Sequence, residues 1–239
     1  MDVLSNNISN VNTTGYKASR ANFQDGLSQL LRSGGAGRNP MQAGTGINTG
    51  SIGNKMEQGP LQNTGRTLDL AIQGEGFFMV TDGTTEYLTR DGAFFVDAAG
   101  NLVNSMGFQV QDINLGGGTQ IAELSISPDG HIIGRTVGSD TDDIDAELFI
   151  YTVPNPEGLK KVGNSLYIAN TETSGDVTGD LTPGADGAGT IESGYLEMSN
   201  TDLSEEFTTM ITTQRGYQAS ARIITVSDTL LEELIQLKR

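Results

Sequence analysis

Leu203, Phe207, Met210, Gln214, Tyr217, Ala221, Ile224, Asp228, Leu231 and Ile235 follow a strict four–three spacing. This spacing lays one stripe of side chains along a helix, the pattern by which helices pack on other helices. Residues 200–237 are therefore expected to form a single helix, roughly 55 Å long at 1.5 Å per residue. That is longer than a compact body of this size needs, so the stripe is expected to meet other chains or the N-terminal helix. Asn200 is the expected N-cap. Glu205 and Glu206 in the first turns, with Lys238 and Arg239 at the other end, complement the helix dipole. Gln214 and Asp228 interrupt the seam, and Gly216 lies inside the helix. Polar seam positions set register and partner at a cost in stability.

The other end carries a shorter version of the same signal. Leu4, Ile8 and Val11 lie at spacings of four and three, one helix face, before Asn10, Asn12, Thr13, Thr14 and Gly15 break the pattern. Phe23, Leu27, Leu30 and Leu31 form a second apolar stripe. Residues 1–31 and 196–239 together are expected to make one discontinuous helical domain, a pair of ends that cannot bury their apolar faces alone. Residues 32–65, rich in Gly, Asn, Thr and Ser with Pro40 and Pro60, read as an extended linker with strand-like pieces such as 47–52.

Residues 66–195 read as a β-rich body. Leu68, Leu70 and Ile72 alternate with polar residues as in a half-buried strand, and residues 77–80 form a fully apolar one. Further strands are expected at 86–90, 93–96, 102–103, 108–111, 123–127, 131–135, 146–153, 165–169 and 189–195. Asp91-Gly92 and the run from Asp97 to Gly100 carry hairpin chemistry, because a positive φ costs little there. Residues 170–188 read as a Gly, Asp and Thr loop. The fold class is thus a mainly β body, an irregular Gly-rich β-sandwich or barrel-like, with a discontinuous α-helical terminal domain made of both chain ends. The 32 glycines and the 36% hydrophobic content agree with many turns rather than a helical bundle.

Charge and composition exclude several classes of function. A net charge of −16 disfavours binding to nucleic-acid phosphates or anionic lipid, and the few basic residues are scattered. The chain has no Cys, so disulfides and Cys-ligated metals are ruled out. No apolar run approaches the ~18 residues of a membrane span. No basic, apolar, small-residue leader opens the sequence, so any export is expected to need no cleaved signal peptide.

No catalytic or metal-binding set stands out. His131 is the only histidine and reads as a strand or turn residue rather than a general base. Asp140, Asp142, Asp143, Asp145 and Glu147 lack the glycine turn of a calcium loop and read as a solvated acidic loop. Gly44, Gly46 and Gly50 lack the strand–loop–helix setting of a phosphate loop. Gly74-Glu75-Gly76 reads as a tight turn into a buried strand. Many carboxylates could pair across a cleft as in a glycosidase, but none is singled out. An acidic-pair enzyme needs a deep pocket with two carboxylates of raised proton affinity. An adhesin-like module needs an exposed aromatic set, and aromatics are only 6% of the chain. No catalytic residue, cofactor or metal is expected.

Several blocks carry a family resemblance, in the same order along the chain. Residues 5–17, ending in Gly15-Tyr16-Lys17, resemble the N-terminal signature of bacterial flagellar rod and hook proteins. Residues 64–78, 89–94 and 100–111 resemble the body of that family. The Glu197-Met198-Ser199-Asn200 block, Glu205 to Thr208, Thr213 to Gln218 and the terminal Leu237-Lys238-Arg239 resemble its C-terminus. Within the family the stretch 39–47 with Gly50-Ser51-Ile52 looks most like the hook protein, and the compact size resembles the short hook subunits of Gram-positive-type bacteria and equally the distal rod protein. The resemblance implies a structural subunit without an active site. Terminal helices of many subunits would line an axial channel, and the β body would form an outer layer. The leading expectation is a flexible hook subunit transmitting motor torque; the alternative is a distal rod subunit of the basal body. Implied partners are further copies, other axial proteins (rod, hook cap, hook–filament junction) and the type III export apparatus, with an extracellular location after export. The interface is expected on Leu4, Ile8, Val11, Leu203, Phe207, Met210, Tyr217, Ile224, Leu231 and Ile235. Family members carry a further short helical segment before the position matching Met1, so the N-terminal half is expected to be cut short here.

Overall fold

The computed structural model describes residues 1–35, 37–115, 121–137, 144–185 and 187–237. Two compact units emerge. One comprises residues 1–11 and 201–239, and the other residues 12–200.

The first unit is helical. Helix α1 spans Asp2–Ser9 and helix α2 spans Leu203–Leu237. The expected N-cap at Asn200 is corrected to Asp202, whose carboxylate accepts the N–H groups of Ser204 at 2.7 Å and Glu205 at 3.3 Å. Lys238 and Arg239 lie outside the described residues. Helix α1 ends at Ser9, and the segment expected to continue the helical domain to residue 31 is β instead: strands run over Ser19–Asp25 and Ser28–Arg32. Phe23, Leu27, Leu30 and Leu31 therefore do not form a helical stripe. Ser19–Asp25 pairs antiparallel with Ile47–Asn54, and Ser28–Arg32 with Met41–Gly44. Residues 19–54 thus fold back on themselves as a two-stranded arm rather than running on as a linker. Phe23, Leu27, Leu31, Ile47 and Ile52 are exposed along it.

The second unit is built around a seven-stranded antiparallel sheet. Its order is Lys160–Gly163, Leu166–Ile168, Glu86–Thr89, Phe78–Thr81, Gln109–Asn114, Asn101–Val103, Phe95–Val96. The apolar run 77–80 sits at its centre, and alternation sends its side chains to opposite faces. Phe78 and Val80 join the larger core with Leu70, Ile72, Leu102 and Ile150. Phe77 and Met79 join a smaller one with Leu88, Tyr151 and Tyr167. A strand covered on both faces must be apolar throughout, which explains the run. A three-stranded sheet (Ile121–Ile126, His131–Thr136, Ile144–Glu147) and short two-stranded pairs complete the body, and among the described residues no sheet closes into a barrel.

Some local expectations change. Leu70, Ala71 and Ile72 are all buried, so their strand is not half-exposed. Residues 178–181 form a strand within the expected loop 170–188. Residues 146–153 split into two strands, Ile144–Glu147 and Ile150–Thr152. Gly92 does not serve a positive φ: a Cβ there would lie 1.7 Å from the Leu70 carbonyl oxygen, so the glycine permits close backbone approach. Gly100 does take φ +84, and Asp97 Oδ1 accepts the N–H groups of Ala99 and Asn101 at 2.9 and 2.8 Å.

Candidate assembly site

Where the chain enters and leaves the β body, a charged cluster is buried. Glu197, on the strand Tyr195–Glu197, is 1% exposed. Its Oε1 accepts from Lys17 Nζ at 2.6 Å and from the Gly59 N–H at 2.8 Å. Its Oε2 accepts from Arg90 Nη1 at 3.3 Å. Lys17, 1% exposed, also donates to the Glu57 carbonyl at 2.7 Å, and Arg90 Nη2 donates to the Gly74 carbonyl at 2.9 Å. The Arg90 guanidinium lies 5.1 Å from the centre of the Phe77 ring. Burial pushes both basic groups below their ordinary values, and the Glu197 carboxylate opposes that shift. Two buried cations around one anion are tolerable only with further partners: a carbonyl accepts from each cation, although the buried Arg90 Nε has no hydrogen-bond partner. Burial likewise pushes the neighbouring Asp91 carboxyl up, against a hydrogen bond from Thr14.

Backbone contacts surround the cluster. The Gly15 N–H donates to the Glu197 carbonyl at 2.8 Å. Gly15 has φ +64, and a Cβ there would lie 2.5 Å from the Asp91 nitrogen, so only glycine fits. Asn200 ties three segments together: its Oδ1 accepts the Ala18 N–H at 2.8 Å, and its Nδ2 donates to the carbonyls of Lys55 and Glu57 at 2.8 and 3.0 Å.

The helical unit has its own long-range contact. Asn7, buried on α1, donates from Nδ2 to Glu206 Oε1 on α2 at 2.8 Å. Leu4, Ile8 and Val11 are half-buried. No residue of α2 is buried. Met210 is half-exposed, and Leu203, Phe207, Tyr217, Ile224, Leu231 and Ile235 are exposed, Tyr217 by 79%. A second apolar row, Ile223, Val226, Leu230, Leu234 and Leu237, is exposed beside the predicted seam.

The residues considered for chemistry are not assembled into a site. His131 is exposed, with Nδ1 3.5 Å from Glu147. Asp145 and Glu147 lie on a strand, while Asp140, Asp142 and Asp143 lie outside the described residues. Among the described residues, no group of three or more His, Asp or Glu could hold a metal. A cleft of about 350 Å³ is lined by Lys55, Glu57, Glu75, Phe77, Arg90 and Glu157, among others. Its three glutamates are not buried, and Glu57 pairs with Lys55 at 2.9 Å. Among the described residues no helix is long and apolar enough to cross a membrane.

Lys17, Arg90 and Glu197 each fall in a different segment matched by a protein family. Residues 1–17 match "Flagella basal body rod protein". Residues 71–134 match "Flagellar hook protein FlgE/F/G D1 domain", and residues 192–237 match "Flagellar basal body rod FlgEFG protein C-terminal". Over its whole length the chain is 42% identical to the flagellar basal-body rod protein FlgG of Bacillus subtilis (strain 168), covering 93% of that protein. The chain belongs to the flagellar rod and hook protein family. Two proteins of Borreliella burgdorferi give a comparison within one organism. Its basal-body rod protein FlgG is 35% identical over all of this chain and 93% of its own length. Its hook protein FlgE is 26% identical over all of this chain and 96% of its own, in an alignment 425 residues long. The flagellar rod and hook family is structural, not enzymatic, and this chain is a component of the flagellum.

The sequence blocks that carry the resemblance contain Lys17, Arg90 and Glu197, but spacing alone does not pair them. Their separations, such as 180 residues between Lys17 and Glu197, leave no periodic trace. The available signal is chemical: a lysine and an arginine among residues that otherwise build a core.

Proposed function

We propose that this chain is a distal rod subunit of the flagellar basal body, a polymer-forming protein without catalysis. The observation that carries the polymer reading is α2 itself. It has 35 residues, none buried, and exposes two rows of large apolar side chains. Contiguous apolar surface of this kind marks an interaction site. Leu4, Ile8, Val11, Leu203, Phe207, Met210, Tyr217, Ile224, Leu231 and Ile235 would supply contacts between copies, and further axial proteins would continue the stack. Export through the flagellar apparatus fits a Cys-free chain that crosses a channel unfolded.

The rod is favoured over the hook, the leading expectation from sequence. Within one organism the rod relative is the more similar and aligns over nearly matching length, whereas the hook alignment needs 425 positions for a chain of 239 residues. Immunogold labelling and electron microscopy of cells lacking the gene discriminate. A rod subunit predicts label within the envelope and a basal body truncated before the outer cell layer. Loss of the external hook with a full rod retained would return the assignment to the hook.

A further inference from the structure

We infer that residues 190–200 act as a closing strap, so the N-terminal segment 12–18 and the segment 55–73 settle on the body only when this C-terminal stretch arrives. The hydrogen-bond map carries the inference. Leu70–Gln73 finds its strand partner in Thr190–Ser193, and Leu61–Asn63 in Tyr195–Glu197, each in a sheet of two strands only. The Thr64 N–H donates to the Gly194 carbonyl, and the Met198 N–H to the Pro60 carbonyl. Gly15, Lys17, Ala18 and Gly59 all donate to Glu197 or Asn200.

The seven-stranded sheet is different. Its strands all come from residues 78–168, so its ladder closes without either end of the chain. Two stages follow from loop-closure entropy: contacts of short separation form before those that close about 180 residues. The charges sharpen the order. With Glu197 absent, Lys17 and Arg90 would enter the interior together as unpaired like charges, which desolvation and repulsion both oppose. Glu197 is thus the group that permits segment 12–18 to dock. Gly59 fits the same account, because a Cβ there would lie 2.0 Å from the Met198 carbonyl oxygen.

The consequence rests on the reading of this chain as an exported polymer subunit. A chain emerging N-terminus first would keep the root of α1 undocked until the residues leading into α2 are out. Both helical ends would become available for assembly in one step.

Pulse-labelled hydrogen exchange during refolding of the purified full-length chain tests the order. The amides of Gly15, Ala18, Gly59 and Thr64, each donating to the strap, are expected to gain protection together, in a phase later than Val80 and Leu88. In the native state, Glu197→Gln is expected to speed exchange of the Gly15, Ala18 and Gly59 amides by about tenfold or more beyond any change at Val80, as in local opening. Glu192→Gln, on the same strap but outside the cluster, should leave all of them unchanged. Protection of Gly15 and Ala18 in step with Val80, or a Glu197→Gln effect spread evenly over the body, would overturn the inference. Neither measurement needs the polymer, so the strap can fail while the rod assignment stands, and the reverse.

Discussion

Glu197 is the residue on which contacts from Gly15, Lys17, Gly59 and Arg90 converge. It pairs with both Lys17 and Arg90 and accepts the Gly59 N–H, all buried from solvent. Removing its charge leaves two buried cations unpaired, so Glu197→Gln is expected to cost roughly 3–5 kcal/mol. Lys17→Met should cost less, because Arg90 still pairs with the carboxylate and the methionine fills the space of the lysine stem. Urea unfolding of both variants checks the order; equal losses would deny Glu197 its central place. At the surface, Asp97 behaves by a different rule. Hydrogen bonds from the backbone of Asn101, then burial opposing them, set its balance, and the result lies below the ordinary 3.8. Its contribution is complete above pH 3.8 and fades as pH falls through the lower folded value. Exchange at the Ala99 and Asn101 amides should therefore gain an acid-induced loss of protection in the wild type that is absent in Asp97→Asn.

At the scale of elements, α2 is legible because a four–three stripe is a local periodicity, and the helix runs over Leu203–Leu237. Its cap is not legible, since Asn200 and Asp202 are both good capping residues and only the body decides that Asn200 is engaged elsewhere. Gly216 lies inside α2, and a Cβ added there would meet nothing within 4 Å. Gly216→Ala is expected to stabilise the helix by about 0.8–1.0 kcal/mol, visible as greater helicity in far-ultraviolet circular dichroism. A loss of helicity would show that the glycine serves a bend. The arm over residues 19–54 goes the other way. Phe23, Leu27 and Leu30 are spaced as on a helix, but the run lies in Ser19–Asp25 and Ser28–Arg32, which pair with later strands of the same arm. Tertiary pairing overrides a short apolar stripe of only a few positions.

For the whole molecule, charge bears on the proposed assembly. Each copy carries a formal charge of −16, which opposes the proposed packing of apolar helix rows between copies. Polymerisation followed by light scattering should therefore speed up as salt rises from about 0.01 M to 0.15 M, where the Debye length falls from about 30 to 8 Å. The opposite trend would mean that paired charges, not apolar rows, drive assembly. The arm bears on the same balance. Residues 19–54 hold three arginines and one aspartate, against eleven basic and twenty-nine acidic residues in the rest of the chain.

The sequence by itself determined what repeats locally: the long helix, the apolar centre of the sheet at 77–80, the Gly-rich turns, and the absence of a thiol. These depend on neighbours within a few positions, and side-chain period reports them directly. Only the tertiary structure decided how Lys17, Arg90 and Glu197 meet, why Gly59 and Gly92 must lack a side chain, and that residues 19–54 fold back as an arm. Those facts depend on which distant segments share a volume. A buried ion cluster, or a glycine whose Cβ would lie 1.7 Å from a carbonyl oxygen, has no period along the chain.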